Sequence, residues 1–255
     1  MTDILDLLAL PDDARIHNRL TKKDLSGQYE NEAPADARYL NRIVAQATAV
    51  GVLRPEKIGV RGFKDADHEV DIIPVLNVAL TASARSGDIR RVSELLHRNT
   101  PRPIILQIAL ADGVPYMALA VTRLSLSDRT RTTSVIEASL IVPTDEIADG
   151  ALTLSGINRS DLWALYCDIV RITAAGGRPA SEALTAVQAI GLRRRLIDLE
   201  SELNTVIRDV RREKNIQRKI DLNATASRLR RDIAETQTAL YAPEYTKHDE
   251  ESPTQ

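Results

Sequence analysis

The longest regular pattern of apolar and polar positions lies between Gly191 and Pro243, where no other Gly or Pro occurs. The first part of this stretch has apolar residues at alternating steps of four and three: Leu192, Leu196, Leu199, Leu203, Val206 and Val210. This heptad spacing predicts a helix with one narrow apolar face, which a second helix must cover.

A second heptad pattern follows, at Leu222, Ala226, Leu229, Ile233 and Leu240, with Thr236 at the one polar step. The two patterns are out of phase by two positions, and the phase changes within residues 213–219. Asn215 is a suitable cap for a new helix at that point. The patterns favour a folded-back hairpin, whereas a single interrupted helix would need a partner from another chain.

The middle of the chain has the shorter alternation that is typical of a sheet. Residues 70–80 alternate in this way, and Pro74 is expected to place their strand toward an edge. A helix is predicted to begin at residues 87–88. The pair Asp112-Gly113 separates two apolar runs, which predicts a β-hairpin, and residues 134–142 predict one more strand.

The N-terminal part of the chain has shorter apolar patterns and more polar residues. A basic loop is predicted at residues 15–23. Asp36 can cap a helix that ends near Gly51. The apolar face of that helix would comprise Leu40, Ile43, Val44 and Ala47.

Together these patterns predict an α+β fold: a small mixed or antiparallel sheet with helices on one face, followed by a helical part with a coiled-coil hairpin or one long helix. The expected organisation is an α+β domain over residues 1–156 and a helical arm over residues 157–241. Residues 242–255 are expected to form an acidic disordered tail, since they lack apolar anchors.

Composition narrows the classes of function. The chain has 255 residues and a net charge of −2, which argues against a protein that wraps nucleic acid over its whole surface. Aromatic residues make up 3%, too few for a stacking platform for bases. A single cysteine and the lack of a signal peptide or long apolar run lead us to expect a cytoplasmic protein without a membrane segment.

Three segments, taken in order, resemble a bacterial family known as domain of unknown function 4391. They are Asp6-Leu7-Leu8-Ala9-Leu10-Pro11 with the following residues 16–23, then residues 165–170, then residues 213–223. The resemblance covers nearly the whole chain. This family usually has Pro at the position of Thr21, and Gln-Phe-Asn-Arg at residues 215–218. The resemblance implies no activity, but it implies genes that neighbour helicases and DNA methyltransferases in restriction-like or anti-phage clusters.

Three features of the sequence could belong to a catalytic site, and each also has a structural explanation. The densest acidic cluster comprises Asp65, Asp67, His68, Glu69 and Asp71. It could hold a divalent metal in a divergent nuclease, but the next strand offers no Glu-x-Lys, and a solvated turn is the favoured interpretation. Cys167 on a helix is interpreted as a structural thiol, and Gly176-Gly177 as a helix stop. No catalytic residue, metal or cofactor is therefore predicted.

Two groups of basic residues are candidates for phosphate contacts: Arg19, Lys22 and Lys23 in the predicted loop, and Lys214, Arg218 and Lys219 at the break of the arm. The alternative for both groups is an ordinary solvated surface.

The function predicted from the sequence is a non-catalytic accessory or adaptor protein of a restriction-like or anti-phage system. Its arm would dock a helicase, a DNA methyltransferase or a second copy through Leu192, Leu196, Leu199, Leu203, Leu222, Leu229 and Ile233. A metal-dependent nuclease and a subunit that binds nucleic acid directly are the alternatives.

Overall fold

The computed structural model describes residues 3–26, 33–125 and 133–242. The chain forms two compact units. Unit 1 comprises Met1–Arg178 and Thr185–Gly191, and unit 2 comprises Pro179–Leu184 and Leu192–Gln255. The division falls later than the boundary expected near residue 157. The expected acidic tail lies outside the described residues, apart from Ala242.

Unit 1 is built on a mixed sheet. The strands of the chain are β1 Arg15–Leu20, β2 Val44–Leu53, β3 Phe63–Lys64, β4 Glu69–Val70, β5 Ile73–Leu80, β6 Ile105–Ala109, β7 Tyr116–Leu124 and β8 Ser134–Pro143. Six of them form one sheet in the order β1-β2-β5-β6-β7-β8, and β3 and β4 form a separate hairpin. Among the strands of the described residues, β5 and β6 alone pair in parallel, and the helix between them makes the crossover that parallel pairing requires.

The helices are α1 Ile4–Leu7, α2 Lys22–Ser26, α3 Pro34–Ile43, α4 Pro55–Ile58, α5 Ser86–Arg98, α6 Leu162–Ala174, α7 Ala186–Arg212 and α8 Ile216–Leu240. The α+β class with a mixed sheet and a C-terminal helical part is thereby confirmed. The predicted Asp112-Gly113 hairpin is present as β6 and β7, and the strand predicted at residues 134–142 is β8.

One core cluster of unit 1 lies between one face of the sheet and the helices α3 and α5. Leu40 and Val92 from these helices pack in one buried cluster with Val78 and Leu106 from the sheet. The opposite face is also covered, because Thr173 of α6 contacts Met117, whose side chain points away from that cluster. Sheet and helices therefore make a layered core in unit 1.

The helix predicted after Asp36 is too long. Helix α3 ends at Ile43, and the chain continues directly as strand β2, so that Val44 and Ala47 lie in the sheet. Strand β2 pairs with β1 on one side and with β5 on the other. Pairing on both sides decides the conformation here, because Val, Ala and Leu positions fit a buried strand as well as a helix face.

Two further expectations are wrong for physical reasons. Residues 15–23 do not form a loop, because residues 15–20 pair with β2 as strand β1 and α2 follows at once. Strand β5 is central rather than at an edge. Pro74 is the second residue of β5, where it pairs with Val52 of β2 and directly precedes Val75, the start of the parallel ladder to β6, so one Pro near the start of the strand does not keep it at an edge.

Unit 2 is a helical hairpin. Helix α7 begins in unit 1 and ends at Arg212, and α8 begins at Ile216, so the helices separate where the two heptad patterns change phase. Val206 of α7 packs with Ala226 and Leu229 of α8 in a small core. At the other end of α8, Ser181 N donates to Leu240 O at 3.0 Å, which ties residues 179–184 to the hairpin.

Candidate nucleic-acid interface

The leucines predicted to bind a partner lie mainly between the two helices of the hairpin. Leu196 and Leu229 are buried, and Leu192, Leu199, Leu203, Leu222 and Ile233 are half-buried. Leu199, Leu203 and Leu222 pack against the small core formed by Val206, Ala226 and Leu229. Because these side chains cover one another, a partner that meets the hairpin in this conformation contacts its outer faces and its turn.

The turn of the hairpin is strongly basic. We define the hairpin end as residues 208–220, which hold six basic and two acidic residues. All six basic side chains are exposed: Arg208, Arg211, Arg212, Lys214, Arg218 and Lys219. The structure thus brings Lys214, Arg218 and Lys219, predicted as phosphate contacts, into one surface with three arginines.

The backbone of this turn is held by two side chains. The Oδ1 atom of Asn215 accepts from Arg218 N at 3.1 Å, which confirms Asn215 as the cap of α8. Glu213 Oε1 accepts from the backbone N of Asn215 and of Lys214, each at 2.8 Å. These hydrogen bonds, that from Asn215 first, lower the pKa of Glu213. The turn therefore forms without Gly or Pro, and the carboxylate of Glu213 is engaged in hydrogen bonds within it.

A broad, open depression of about 710 Å³ lies beside the turn. Its lining includes the basic residues Arg212, Lys214 and Arg218 and the acidic residues Asp209, Glu213 and Asp221. The carboxylates balance the cations of the depression itself, so contacts with the phosphates of a nucleic-acid backbone are expected from the basic excess of the whole hairpin end around it. An open shape suits such a ligand better than an enclosed small molecule.

Two isoleucines at the hairpin end point into solvent, and the sequence patterns did not single them out. Ile216 is 77% exposed and Ile220 is 56% exposed. They precede Leu222 by six and two positions, which places both on the side of α8 away from the apolar face. Their position out of the heptad phase is the signal that could have identified them as surface residues.

The basic residues of unit 1 have different roles. Lys22 Nζ donates to Asn41 O at 2.7 Å, so this cation satisfies a carbonyl in the last turn of α3. Arg19 and Lys23 are exposed. A hydrogen bond from Thr21 N lowers the pKa of Asp24, and Thr21 Oγ1 accepts in return from Asp24 N, which closes a capping box on α2.

Asp65, Asp67 and His68 of the acidic cluster lie in the turn between β3 and β4, Glu69 lies in β4, and Asp71 follows that strand. Asp65 Oδ1 accepts from the backbone N of Asp67 at 2.8 Å and from that of His68 at 2.6 Å. Asp71 pairs with Arg102 at 2.8 Å. Within residues 3–26, 33–125 and 133–242, no three His, Cys, Asp or Glu side chains group so as to hold a metal ion. The contacts thus agree with a solvated turn.

The remaining candidates of the sequence have structural surroundings. Burial, followed by the nearby carboxylates of Asp161 and Asp168, raises the pKa of Cys167 to about 12, so its thiol stays protonated at neutral pH. Gly177 has φ of 75°, and a Cβ there would collide with the backbone of Ala148. The glycine pair follows the end of α6 and leaves no open loop for a phosphate.

Fold and surface together define the class of this protein: an α+β unit joined to a helical hairpin that ends in a basic turn. The family model for Domain of unknown function (DUF4391) matches residues 8–233, and the chain belongs to that family. No curated protein matches the chain, and no solved structure does. Among the described residues, no helix is both long and apolar enough to cross a bilayer.

Proposed function

We propose that this protein is a non-catalytic accessory subunit of a restriction-like or anti-phage assembly, and that its hairpin end contacts the phosphate backbone of DNA. The observation that carries the proposal is the local charge: six exposed basic residues against two acidic ones, in a chain of net charge −2. The family resemblance motivates the choice of assembly, because it implies genes that lie beside helicase and DNA methyltransferase genes.

The chemistry of the hairpin end favours the DNA backbone over the bases. Each phosphate that is neutralised by Lys or Arg releases counterions, which supplies affinity without sequence recognition. Phe, Trp and Tyr are absent from residues 208–220, so base stacking has no platform there. The expected contact therefore positions the protein on DNA, while any sequence recognition belongs to the partner.

The surroundings of the candidate catalytic groups support the accessory role. Asp65 is occupied by two backbone N–H groups, and Asp71 is in an ion pair. Cys167 is kept as a thiol by burial. Each group is thus accounted for by a structural contact, which supports a protein that works by binding.

The test is a comparison of two triple charge reversals. A labelled duplex is titrated with wild-type protein and with Lys214→Glu/Arg218→Glu/Lys219→Glu, and anisotropy gives the dissociation constant. We expect the variant to bind at least about tenfold more weakly, because it loses three cations and adds three repelling charges.

The matched control is Arg38→Glu/Arg54→Glu/Arg90→Glu, which makes the same change of net charge at exposed positions of unit 1. The proposal requires this control to stay close to the wild type. Equal weakening by both variants would show that only net charge matters, and unchanged binding by the hairpin variant would remove the hairpin end from the contact.

A protein contact through the same end is the second candidate, favoured by the exposure of Ile216 and Ile220. Solvated isoleucines become favourable when a partner buries them. The variant Ile216→Ser/Ile220→Ser should then lose association with the helicase or methyltransferase of the neighbouring genes, or with a second copy, while duplex binding persists. If the variant matches the wild type in copurification and in light scattering, this second candidate is contradicted.

A further inference from the structure

The open edge of the sheet in unit 1 is a second candidate binding surface. Strand β1 is the terminal strand, so only one of its sides pairs with a neighbour, β2. Residues 15–19 are exposed and Leu20 is half-buried. No other strand of the described residues pairs with the outer side of β1. The register to β2 shifts between Arg15 and Asn18, so the N–H and C=O groups of the regular part, residues 18–20, are those best placed to accept an added strand.

A cleft of about 240 Å³ lies at the C-terminal end of this strand. Its floor is apolar and is formed by Leu20, Leu25, Leu40, Val44 and Ala47. Four of these residues are buried: Leu25, Leu40, Val44 and Ala47. The floor is therefore part of the core cluster between the sheet and the helices α3 and α5. We call this space the β1 cleft. Its volume suits one aliphatic or aromatic side chain rather than a drug-sized molecule.

The rim of the β1 cleft is polar and exposed. Arg19, Ala45 and Gln46 lie there, and all three are exposed. Lys22 also lines the cleft, with its ammonium group bonded to Asn41 O. Along β1, Arg19 lies on the face opposite Leu20, because Arg19 pairs with Thr48 and Leu20 with Ala47. The edge therefore presents an apolar recess on one face and a cation on the other.

We propose that β1 binds an extended segment of a partner protein, which adds a strand to the sheet, seats an apolar side chain in the β1 cleft and places an acidic side chain beside Arg19. In this mode of recognition, main-chain hydrogen bonds supply affinity and a pocket for alternate side chains supplies specificity. The acidic position follows from charge complementarity with the exposed Arg19 at this edge. This surface lies in unit 1 and does not depend on the function proposed for the hairpin.

The test uses the full chain and a short labelled peptide that alternates Glu with Val and Leu. A second peptide of the same composition groups all the Glu residues at one end, which keeps its charge but removes the alternation. We expect only the alternating peptide to bind by anisotropy and to slow amide hydrogen exchange in residues 15–20. Equal binding of both peptides, or exchange protection elsewhere, would overturn the proposal.

Two variants locate the contact. Ala45→Trp places a ring at the exposed rim of the cleft, and Arg19→Glu reverses the charge beside the strand. Each should weaken the alternating peptide by about tenfold or more. The controls are Ala35→Trp and Arg90→Glu, at exposed positions of α3 and α5, which should bind as the wild type does.

The outcomes separate an added strand from a small ligand. Amide protection in β1 together with loss of binding in both variants supports the proposal. If acetate or phosphate displaces the peptide at matched ionic strength, the surface is an anion site instead. The same conclusion holds if Arg19→Glu loses peptide binding and Ala45→Trp keeps it. A specific strand contact should have a dissociation constant of about millimolar or lower. If the wild type does not bind the peptide at that concentration, the proposal is overturned.

Discussion

The sheet of unit 1 and the hairpin of unit 2 rest on cores of very different size. Among the described residues, one cluster of the sheet core alone has eighteen buried residues, whereas the hairpin core has three, Val206, Ala226 and Leu229, with four half-buried neighbours. Burial of apolar surface is the main favourable contribution to folding. The comparison indicates that unit 1 supplies most of the stability and that the hairpin is a thin element, much of whose surface faces outward.

The largest expected effect comes from removing a side chain in the sheet core. Leu106→Ala should lower the free energy of unfolding by about 3–4 kcal/mol, because Leu106 is fully buried and leaves a cavity. Leu203→Ala in the half-buried part of the hairpin core should cost about 1–2 kcal/mol. Denaturant unfolding measures both, followed by fluorescence of Trp163 in unit 1 and by circular dichroism. Equal costs would contradict the contrast between the two cores.

A pH-dependent contribution is expected from a buried histidine of unit 1. His97 of α5 is buried, and burial lowers its pKa from 6.5 to about 4, with a smaller opposing effect from the Ala118 backbone. Between these two values the unfolded chain binds the proton more readily than the folded chain. Stability therefore falls as the pH drops from 6.5 towards 4, by up to about 3 kcal/mol, and this contribution is constant above pH 6.5.

The variant His97→Leu isolates this contribution, because the other titrating groups are unchanged. The difference in unfolding free energy between wild type and variant should depend on pH over the window from 4 to 6.5. A difference that is constant over this range would show that His97 does not titrate as its burial implies.

A smaller effect is expected where a tyrosine joins two strands of the sheet. Tyr166 Oη donates toward Ala120 O at 2.9 Å and lies 3.2 Å from Ile104 O, beyond the last residue pair of β6 and β7. Tyr166→Phe should cost about 1–3 kcal/mol, because buried backbone groups lose their partner. The control is Tyr116→Phe, which removes the hydroxyl group of a half-buried tyrosine on β7 and should cost less.

The smallest effect concerns the cap of the hairpin. Asn215→Ala should cost about 1 kcal/mol, since the N-terminus of α8 loses the bond to Arg218 N, and Asn215→Gly should cost only a few tenths. Amide exchange at the start of α8 measures both variants. A loss that spreads into the sheet core would show that the two units are coupled more strongly than their separate cores suggest.

The sequence patterns succeeded where one element contains its own signal. Heptad spacing and the phase change near Asn215 predicted two helices and the position of the break. They failed where pairing partners decide the conformation. Strand β1 has no apolar face of its own, and Val44 continues the apolar face of α3, so only pairing between β1, β2 and β5 shows that both segments are strands.

The candidate sites were predictable in part. The basic character of Lys214, Arg218 and Lys219 is visible in the sequence, but the use of Lys22 to cap α3 is not, because it depends on a contact with Asn41. The exposure of Ile216 and the β1 cleft likewise depend on the packing of elements that lie apart in sequence. Residue types identify the charge of a surface, and tertiary structure identifies its shape.

The most direct test of the central claim is the salt dependence of duplex binding. The logarithm of the affinity should fall with the logarithm of salt concentration with a slope of about −0.9 for each phosphate contacted. We predict that Lys214→Ala/Arg218→Ala/Lys219→Ala makes this slope less steep by about 2–3, while Arg38→Ala/Arg54→Ala/Arg90→Ala leaves it unchanged. A slope near zero for the wild type, or the same slope in the hairpin variant, would contradict a hairpin end that neutralises DNA phosphates.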